Sequence, residues 1–178
     1  MKKDTNTKWL VTVFILAFVL SIIFSAISTI MANSFPTAIL AIIIIVVIGI
    51  GIIFDMIGVA VLTSKEANLH AKASKKMKGA KQAIKLLKNS TKVASVCNDV
   101  IGDICGIVSG SLGAVLTIAI ASLFDFEAAA TITTVIVTAT ISACTVGFKA
   151  IFKDVATKNS DTIVFTVGKI ISIFKKDK

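Results

Sequence analysis

The amino-acid sequence predicts an all-α membrane protein with four transmembrane helices, and three observations favour this class. Of its 178 residues, 56% are hydrophobic, and the mean hydropathy of +0.94 exceeds that of ordinary soluble domains. Four apolar stretches are each about long enough to cross the ~30 Å of hydrocarbon in a bilayer. Every cationic side chain is a lysine, and the lysines are concentrated between and beside those stretches.

The four predicted spans divide the chain into alternating apolar and polar parts. Their bounds are about 9–31, 38–63, 93–124 and 128–148. We expect one transmembrane domain over 1–178, with a basic segment at 64–92 and a juxtamembrane helix in the tail at 149–178. A signal peptide is the competing interpretation of the first span, but the apolar run is about twice the usual length of a signal core. Pro36 stands where the second helix should begin.

The segment 64–92 carries nine lysines against one acid, Glu66. Its apolar residues recur at helical spacing, which predicts a basic amphipathic helical hairpin bent near Gly79. The lysines expected at the membrane surface are Lys72, Lys75, Lys76, Lys81, Lys85 and Lys88. Such a surface is attracted to anionic lipids. Nucleic-acid binding is the alternative, but no arginine or interleaved aromatic residue supports it, and we expect no nucleic-acid partner.

The distribution of lysine predicts the topology. The head, the segment 64–92 and the tail are rich in lysine, whereas the links at 32–37 and 125–127 have none. Cytoplasmic loops of membrane proteins carry the excess of lysine and arginine. We therefore expect a multi-pass protein of the bacterial inner membrane, with both termini and the basic segment in the cytoplasm.

Three acids lie inside predicted spans: Asp55, Asp99 and Asp103. An acid at the centre of a membrane helix costs about 2.5–3.5 kcal/mol on insertion scales, so such residues are usually functional. Asp99 and Asp103 are four residues apart, and all three acids should lie ~10–16 Å in from the cytoplasmic helix ends. Oxygen ligands at one depth suit a hard cation such as Mg²⁺. The alternative, left open here, is that the acids pair with Lys149 or nearby lysines, or hydrogen-bond to serine and asparagine, and only hold helices together.

Small residues form one face of the third span. Gly102, Gly106 and Gly110 recur every four residues, which lets helix backbones approach closely. Packing within one subunit or at a dimer seam is the simplest role for this face. Its exposed carbonyl groups could also line a site.

The residues usually needed for enzyme chemistry are sparse. The three cysteines form no CxxC pair, and His70 is the only histidine. No arrangement of a nucleophile with a base is predicted. We therefore expect that the protein is not an enzyme.

The run from Phe54 to Asn89, with Lys78-Gly79-Ala80-Lys81 followed by Gln-Ala-Ile-Lys-Leu-Leu, resembles the CNNM/CorB/CorC family of magnesium transport proteins. The resemblance covers roughly 51–178 and implies Mg²⁺ as the ion and a homodimer. Asp55 stands where the family tends to have a Ser ligand, and Lys149 stands where it has a Glu ligand. The Gly-Asn motif of the family falls near Asn98 or near Gly102-Asp103. The nucleotide-sensing CBS pair of the family is not expected in this chain.

Two functions of different classes follow. The first is transport or homeostasis of Mg²⁺ or another divalent cation. The candidate ligands are Asp55, Asn98, Asp99, Gly102 and Asp103. The second is a transport-inactive scaffold or partner subunit in which the acids pair with Lys149. A proton-coupled or small-molecule transporter using the same acids is a third interpretation.

Overall fold

The computed structural model describes residues 3–122 and 129–174, and every regular element in these ranges is helical. The helices are α1 (Lys3–Ser34), α2 (Thr37–Thr63), α3 (Glu66–Ser74), α4 (Ala80–Lys88), α5 (Ser90–Ala94), α6 (Asp103–Ala121), α7 (Ala129–Lys158) and α8 (Ser160–Phe174). A π-helix (Ser95–Gly102) joins α5 to α6. The predicted acidic link at 125–127 lies outside the described residues.

Four helical stretches in the described ranges are long and apolar enough to cross a membrane. They are Trp9–Met31, Thr37–Thr63, Ser90–Ala121 and Thr131–Lys158. The prediction of an all-α fold with four helices of membrane-spanning length and composition is therefore confirmed. The end of the fourth stretch differs from the prediction, because α7 continues past Phe148 to Lys158. Charged residues mark the edge of a membrane, but they do not by themselves end a helix.

The turn between α1 and α2 contains only Phe35 and Pro36. The carbonyl oxygen of Pro36 accepts hydrogen bonds from the amides of Ile39 at 2.9 Å and Leu40 at 3.2 Å. Proline suits the start of a helix because the first backbone amides of a helix have no intrahelical acceptor, so that its lack of an N–H group costs no hydrogen bond there. Pro36 thus starts the second span, as predicted.

The described chain divides into two compact units. The first comprises Met1–Gly51 and Val100–Gly147, and we call it the apolar unit. Its buried core contains Leu40, Ile44, Val100, Ile104, Val108 and Leu112. Side chains of α1 and α7 pack against this core. Large apolar residues such as Phe14 and Ile45 remain exposed, as suits a surface that faces lipid.

The second unit comprises Ile52–Asp99 and Phe148–Lys178, and we call it the polar unit. Its buried core combines residues from α2, α3, α4, α7 and α8: Ala60, Val61, Leu69, Ala83, Leu87, Ala156 and Val164. Alanine and valine predominate in this core. Small side chains let the helix backbones lie close together.

The basic segment folds into the short helices α3 and α4, separated at residues 75–79. Lys76 has a φ of 53° and Gly79 a φ of 90°, so the chain passes twice through the left-handed region in this turn. A side chain on Gly79 would also meet the backbone of Lys169 at 2.5 Å. Only glycine satisfies both the backbone conformation and the close contact with α8.

The membrane-length stretch Ser90–Ala121 is not a uniform α-helix, because residues 95–102 are π-helical. In a π-helix the hydrogen bonds run from residue i to i+5, so each turn is wider than in an α-helix. In an α-helix, residues four apart share a face. This rule does not hold through the π-helix, which contains Asp99 and ends just before Asp103. π-helical turns often occur at functional sites.

Candidate site around Asp55

Asp55 is a buried carboxylate of the polar unit. It lies on α2, and the residue is only 4% exposed. Nζ of Lys153, on α7, lies 3.3 Å from Oδ2 of Asp55. The contact is an ion pair without an aligned hydrogen bond, because this oxygen finds no hydrogen-bond partner among the described residues. A buried charge without a partner would be costly, so the ion pair explains how Asp55 is tolerated.

Lys153 is a loosely held partner. Its side chain is 49% exposed, whereas the side chain of Asp55 is 6% exposed. The carboxylate of the ion pair is therefore buried, whereas the lysine side chain is about half exposed at the protein surface. The ammonium group can leave the carboxylate by rotation of its own side chain, since four methylene groups carry it.

Asn98 contributes a second buried oxygen. It lies in the π-helix, and its Oδ1 is buried without a hydrogen-bond partner among the described residues. The side chain occupies the space beside Gly58 of α2, where a built Cβ atom would lie 1.9 Å from Oδ1. Gly58 thus admits the amide group, and any larger residue would displace it.

Asp55 and Gly58 are three residues apart on α2, so they lie on the same face of the helix. The amide oxygen of Asn98 therefore lies beside Gly58, one helical turn along α2 from Asp55. Two buried oxygen atoms without hydrogen-bond partners among the described residues can contact a cation. Asp55, Gly58, Asn98 and Lys153 together form what we call the Asp55 site.

The other predicted ligands do not form a dense cluster with Asp55. Asp99 and Asp103 are exposed. In the described residues, no group of three or more His, Cys, Asp or Glu side chains is placed to hold a metal ion. The assignment of the three acids as ligands of one cation stays a prediction. It assumed α-helical spacing through residues 95–102, where the helix is instead π-helical.

The cationic partner predicted for the acids was Lys149 or a nearby lysine, and in the structure it is the nearby Lys153 that pairs with Asp55. Lys149 is partly exposed and forms no ion pair with the described residues. Lys153, one turn further along α7, pairs with Asp55. Both lysines are on the same side of α7, so the sequence alone could not distinguish them.

The small residues have two different environments. Gly102 is buried, and a Cβ atom on Gly51 would lie 2.9 Å from Cβ of Cys105 and 4.0 Å from the Gly102 carbonyl oxygen. Gly106 and Gly110, by contrast, have no atom within 4 Å of a built Cβ. They line an open groove of about 250 Å³ with hydroxyl residues of α7, including Thr138 and Ser142. Close packing therefore occurs at Gly51 and Gly102.

A second polar cluster, centred on Asp161 of α8, was not predicted. Its Oδ1 accepts hydrogen bonds from the Ser64 hydroxyl at 2.7 Å and from the Lys65 amide at 2.8 Å. Its Oδ2 accepts a hydrogen bond from the side-chain amide of Asn68. The carboxylate thereby binds the turn that leads from α2 into α3.

The environment of Asp161 lowers its pKa. Burial alone would raise the pKa of this carboxyl group, but hydrogen bonds from Asn68, Ser64 and Lys65 and the charge of Lys72 outweigh that effect. These donors stabilise the ionised form. Asp161 is therefore a structural anchor that works in its charged state.

The expected surface lysines are exposed, with one exception. Nζ of Lys72 lies 4.5 Å from the ring centre of Phe165, a cation–π contact that ties α3 to α8. The remaining members of the predicted set are exposed: Lys75, Lys76, Lys81, Lys85 and Lys88. Lys78 is exposed beside them.

These features define the class of the protein: an all-helical chain with four helices long and apolar enough to cross a membrane, a half-buried ion pair and a compact basic helical unit. Comparison with models of protein families, with curated proteins and with solved structures gave no match. The resemblance to the CNNM/CorB/CorC family therefore stays a prediction.

Proposed function

We propose that the protein transports or handles a cation, with Mg²⁺ or a related divalent ion as substrate, and that Asp55 and Asn98 contact this ion. The observation that supports the proposal is the pair of buried oxygens, Asp55 Oδ2 and Asn98 Oδ1, without hydrogen-bond partners among the described residues. Oδ1 of Asn98 is costly to bury unless something completes its coordination, and Oδ2 of Asp55 is compensated only by the half-exposed Lys153. A hydrated Mg²⁺ ion that keeps several of its waters needs only one or two protein oxygens.

In this proposal Lys153 neutralises Asp55 when the cation is absent. The cation and the ammonium group compete for the same carboxylate. The exposed side chain of Lys153 allows it to withdraw. Asp99 and Asp103 are exposed and have no direct contact with the Asp55 site in this proposal.

Flux measurements in liposomes test the proposal. Purified protein should carry Mg²⁺ into vesicles, measured with an entrapped Mg²⁺ indicator. Asp55→Asn should reduce this flux at least ~10-fold, because the amide removes the charge and keeps the shape. The matched control is Asp103→Asn, which removes an exposed acid of the same type and should leave the flux nearly unchanged. Equal flux for the wild type and Asp55→Asn would contradict the proposed site.

A second candidate function is a membrane scaffold or partner subunit that transports nothing. The ion pair between Asp55 and Lys153 favours it, since a neutralised carboxylate attracts cations weakly. In this alternative the pair only joins α2 to α7. Asp55 would then act on stability and have no effect on flux.

The variant Lys153→Met separates the two functions. It leaves Asp55 buried without its counter-charge, which should destabilise the protein by about 3 kcal/mol. In the scaffold, the double variant Asp55→Leu with Lys153→Met should restore stability, and Mg²⁺ should have no effect. In the transporter, Mg²⁺ should raise the melting temperature of Lys153→Met, because an ion that binds only the folded state stabilises it. Na⁺ at equal ionic strength is the control.

The proposal includes the predicted topology, with both termini and the helices α3 and α4 in the cytoplasm. It is supported by the distribution of lysine. In a background without native cysteines, a cysteine at Phe35 should react with an impermeant reagent added outside cells, and a cysteine at Lys85 should not. The reverse pattern would contradict the topology.

The proposal also includes the homodimer that the family resemblance implies. Gly106 and Gly110 are open to the surroundings in the single chain. A second copy could approach closely there. Gly106→Leu should therefore lower the dimer fraction seen by crosslinking and leave folding intact, whereas Leu112→Ala should destabilise the fold by about 2–5 kcal/mol, since Leu112 is fully buried. An unchanged dimer fraction in Gly106→Leu would exclude this face.

A further inference from the structure

The polar unit presents a continuous run of uncompensated positive charge. Six lysines between α3 and the end of α4 are exposed: Lys75, Lys76, Lys78, Lys81, Lys85 and Lys88. None of these six forms an ion pair with the described residues. On α4, Lys81, Lys85 and Lys88 lie on one face, opposite the buried residues Ala83 and Leu87. We call this set the basic surface.

The chain keeps the basic surface close to a membrane. The α2 span ends at Thr63, and α3 begins at Glu66. The α7 span ends at Lys158, and α8 begins at Ser160. Two or three residues reach at most about 10 Å. The helices α3 and α8, which pack against α4, therefore begin within headgroup distance of the membrane, and α4 itself ends at Lys88, two residues before the span that begins at Ser90.

The helices of the same unit are in close contact with one another. Gly79 and Gly168 bring α4 and α8 together at backbone distance, and the Asp161 carboxylate binds the start of α3. The lysines are thus carried on helices that are joined at several points. Preorganised charges bind a partner at a lower entropic cost than charges on a flexible segment.

One apolar side chain interrupts the basic surface. Met77 is 44% exposed and lies between Lys76 and Lys78. Lys76 adopts the left-handed conformation, with a φ of 53°, which is uncommon for lysine. An exposed methionine flanked by lysines fits the boundary between headgroups and acyl chains, where apolar tips enter and ammonium groups meet phosphates.

We propose that the basic surface binds the headgroups of anionic phospholipids in the protein's own membrane, with Lys81, Lys85 and Lys88 contacting phosphate groups and Met77 entering the interface. This inference does not depend on the proposed cation transport. Its basis is the charge of the surface and its tether to two spans. A nucleic acid would be attracted by the same charge but would have to displace the membrane that already lies there.

Native mass spectrometry of the full chain in detergent tests the inference. The probe is an equimolar mixture of phosphatidylglycerol and phosphatidylcholine with the same acyl chains. The wild type should retain phosphatidylglycerol preferentially. In the triple variant K81Q/K85Q/K88Q the ratio of bound phosphatidylglycerol to bound phosphatidylcholine should fall at least ~10-fold. The reason is that each lysine near an anionic surface contributes a factor of about five to binding. The charge-preserving K81R/K85R/K88R should retain it.

Two results would overturn the inference. One is an equal lipid preference in the wild type and the glutamine variant. The other is displacement of bound phosphatidylglycerol by a short single-stranded RNA at equal phosphate concentration, which would mean a nucleic-acid surface. Because the three lysines are exposed, their replacement should leave the helical circular dichroism signal unchanged. If the triple variant nevertheless unfolds, the single variant K85Q should still reduce the preference about fivefold, and an unchanged preference in K85Q would also overturn the inference.

Discussion

Hydrogen bonds of side chains cross between helices in the polar unit, whereas the hydroxyl groups of Thr117 and Thr145 in the apolar unit bond within their own helices. Thr117 donates to the carbonyl of Gly113 and Thr145 to that of Ile141. The polar unit also has bonds of this kind, such as that from Thr166 to the Thr162 carbonyl, but in addition Asp161 of α8 accepts hydrogen bonds from the Ser64 hydroxyl and the Lys65 amide, in the turn between α2 and α3. The apolar unit therefore depends mainly on packing, and the polar unit depends also on individual contacts at fixed positions.

This difference predicts how each unit responds to substitution. In the apolar unit many apolar residues should be interchangeable, because volume and hydrophobicity are the main requirements. In the polar unit a change of one atom at a contact should be costly. Four substitutions test this comparison. The effect of each one can be measured as the change in the free energy of unfolding in detergent micelles.

The largest effect is expected for Gly168→Ala. A Cβ atom there would lie 2.6 Å from the Gly79 carbonyl oxygen and 2.7 Å from the Ala83 amide nitrogen. Backbone atoms cannot move aside as side chains can, so we expect a loss of about 3 kcal/mol or more. Gly147→Ala is the matched control, because a Cβ there meets nothing within 4 Å and alanine favours helix. Similar stability for the two variants would contradict the described crossing of α4 and α8.

The next effect is expected for Gly58→Ala. Its Cβ would overlap Oδ1 of Asn98, and the amide would have to turn away at a cost of about 2 kcal/mol. The double variant Gly58→Ala with Asn98→Ala should recover most of that loss, since the conflicting group is gone. A double-mutant cycle measures this coupling directly. Additive losses would mean that the two residues are not in contact.

A smaller, pH-dependent effect is expected for Asp161→Asn. The pKa of Asp161 is lowered in the folded state, so its stabilising contribution is present above the unfolded pKa of about 4 and is lost as the pH falls through the folded value. At pH 7 the variant should be less stable by about 1 kcal/mol, because the carboxylate is partly exposed and screened. Near pH 3 the difference from wild type should shrink. A difference that is constant from pH 3 to pH 7 would exclude the charged anchor.

The smallest effect is expected for Thr140→Val in the apolar unit. The Thr140 hydroxyl donates to the Ile136 carbonyl at 2.7 Å within α7, and the exposed valine should be equally acceptable to lipid. We expect a change within about 0.5 kcal/mol. Ser64→Ala, which removes a bond to Asp161 in the polar unit, should cost more. If Thr140→Val is the more damaging of the two, the comparison between the units fails.

The sequence alone predicted the elements better than the contacts. The four spans follow from length and hydropathy, and the break near Gly79 follows from glycine chemistry. Pairing of the acids with Lys149 or a nearby lysine was predicted, but the sequence could not choose between Lys149 and Lys153, because they are one turn apart on α7. No sequence rule indicated a π-helix at 95–102, so the spacing of Asp99 and Asp103 was misinterpreted.

The Asp161 anchor could not be predicted for a different reason. Ser64 and Asp161 are separated by 97 positions in the chain. Neither residue is unusual in its own neighbourhood, since an acid at the start of a helix is common. Local patterns predict local structure, and a contact over this distance requires the tertiary fold. The ligand assignments and the single-domain organisation stay predictions.

The same separation has a consequence for biosynthesis. At about 5–20 residues per second, a ribosome needs roughly 5–20 s to proceed from Ser64 to Asp161. During this interval α3 has emerged without its anchor, and α4 lacks the helix on which Gly168 lies. Until α8 has been synthesised, the lysine-rich helices lack both of these contacts. A stop codon placed just before Ser160 should yield a chain whose basic segment is cleaved rapidly by a protease, although all four membrane-length helices are present in it.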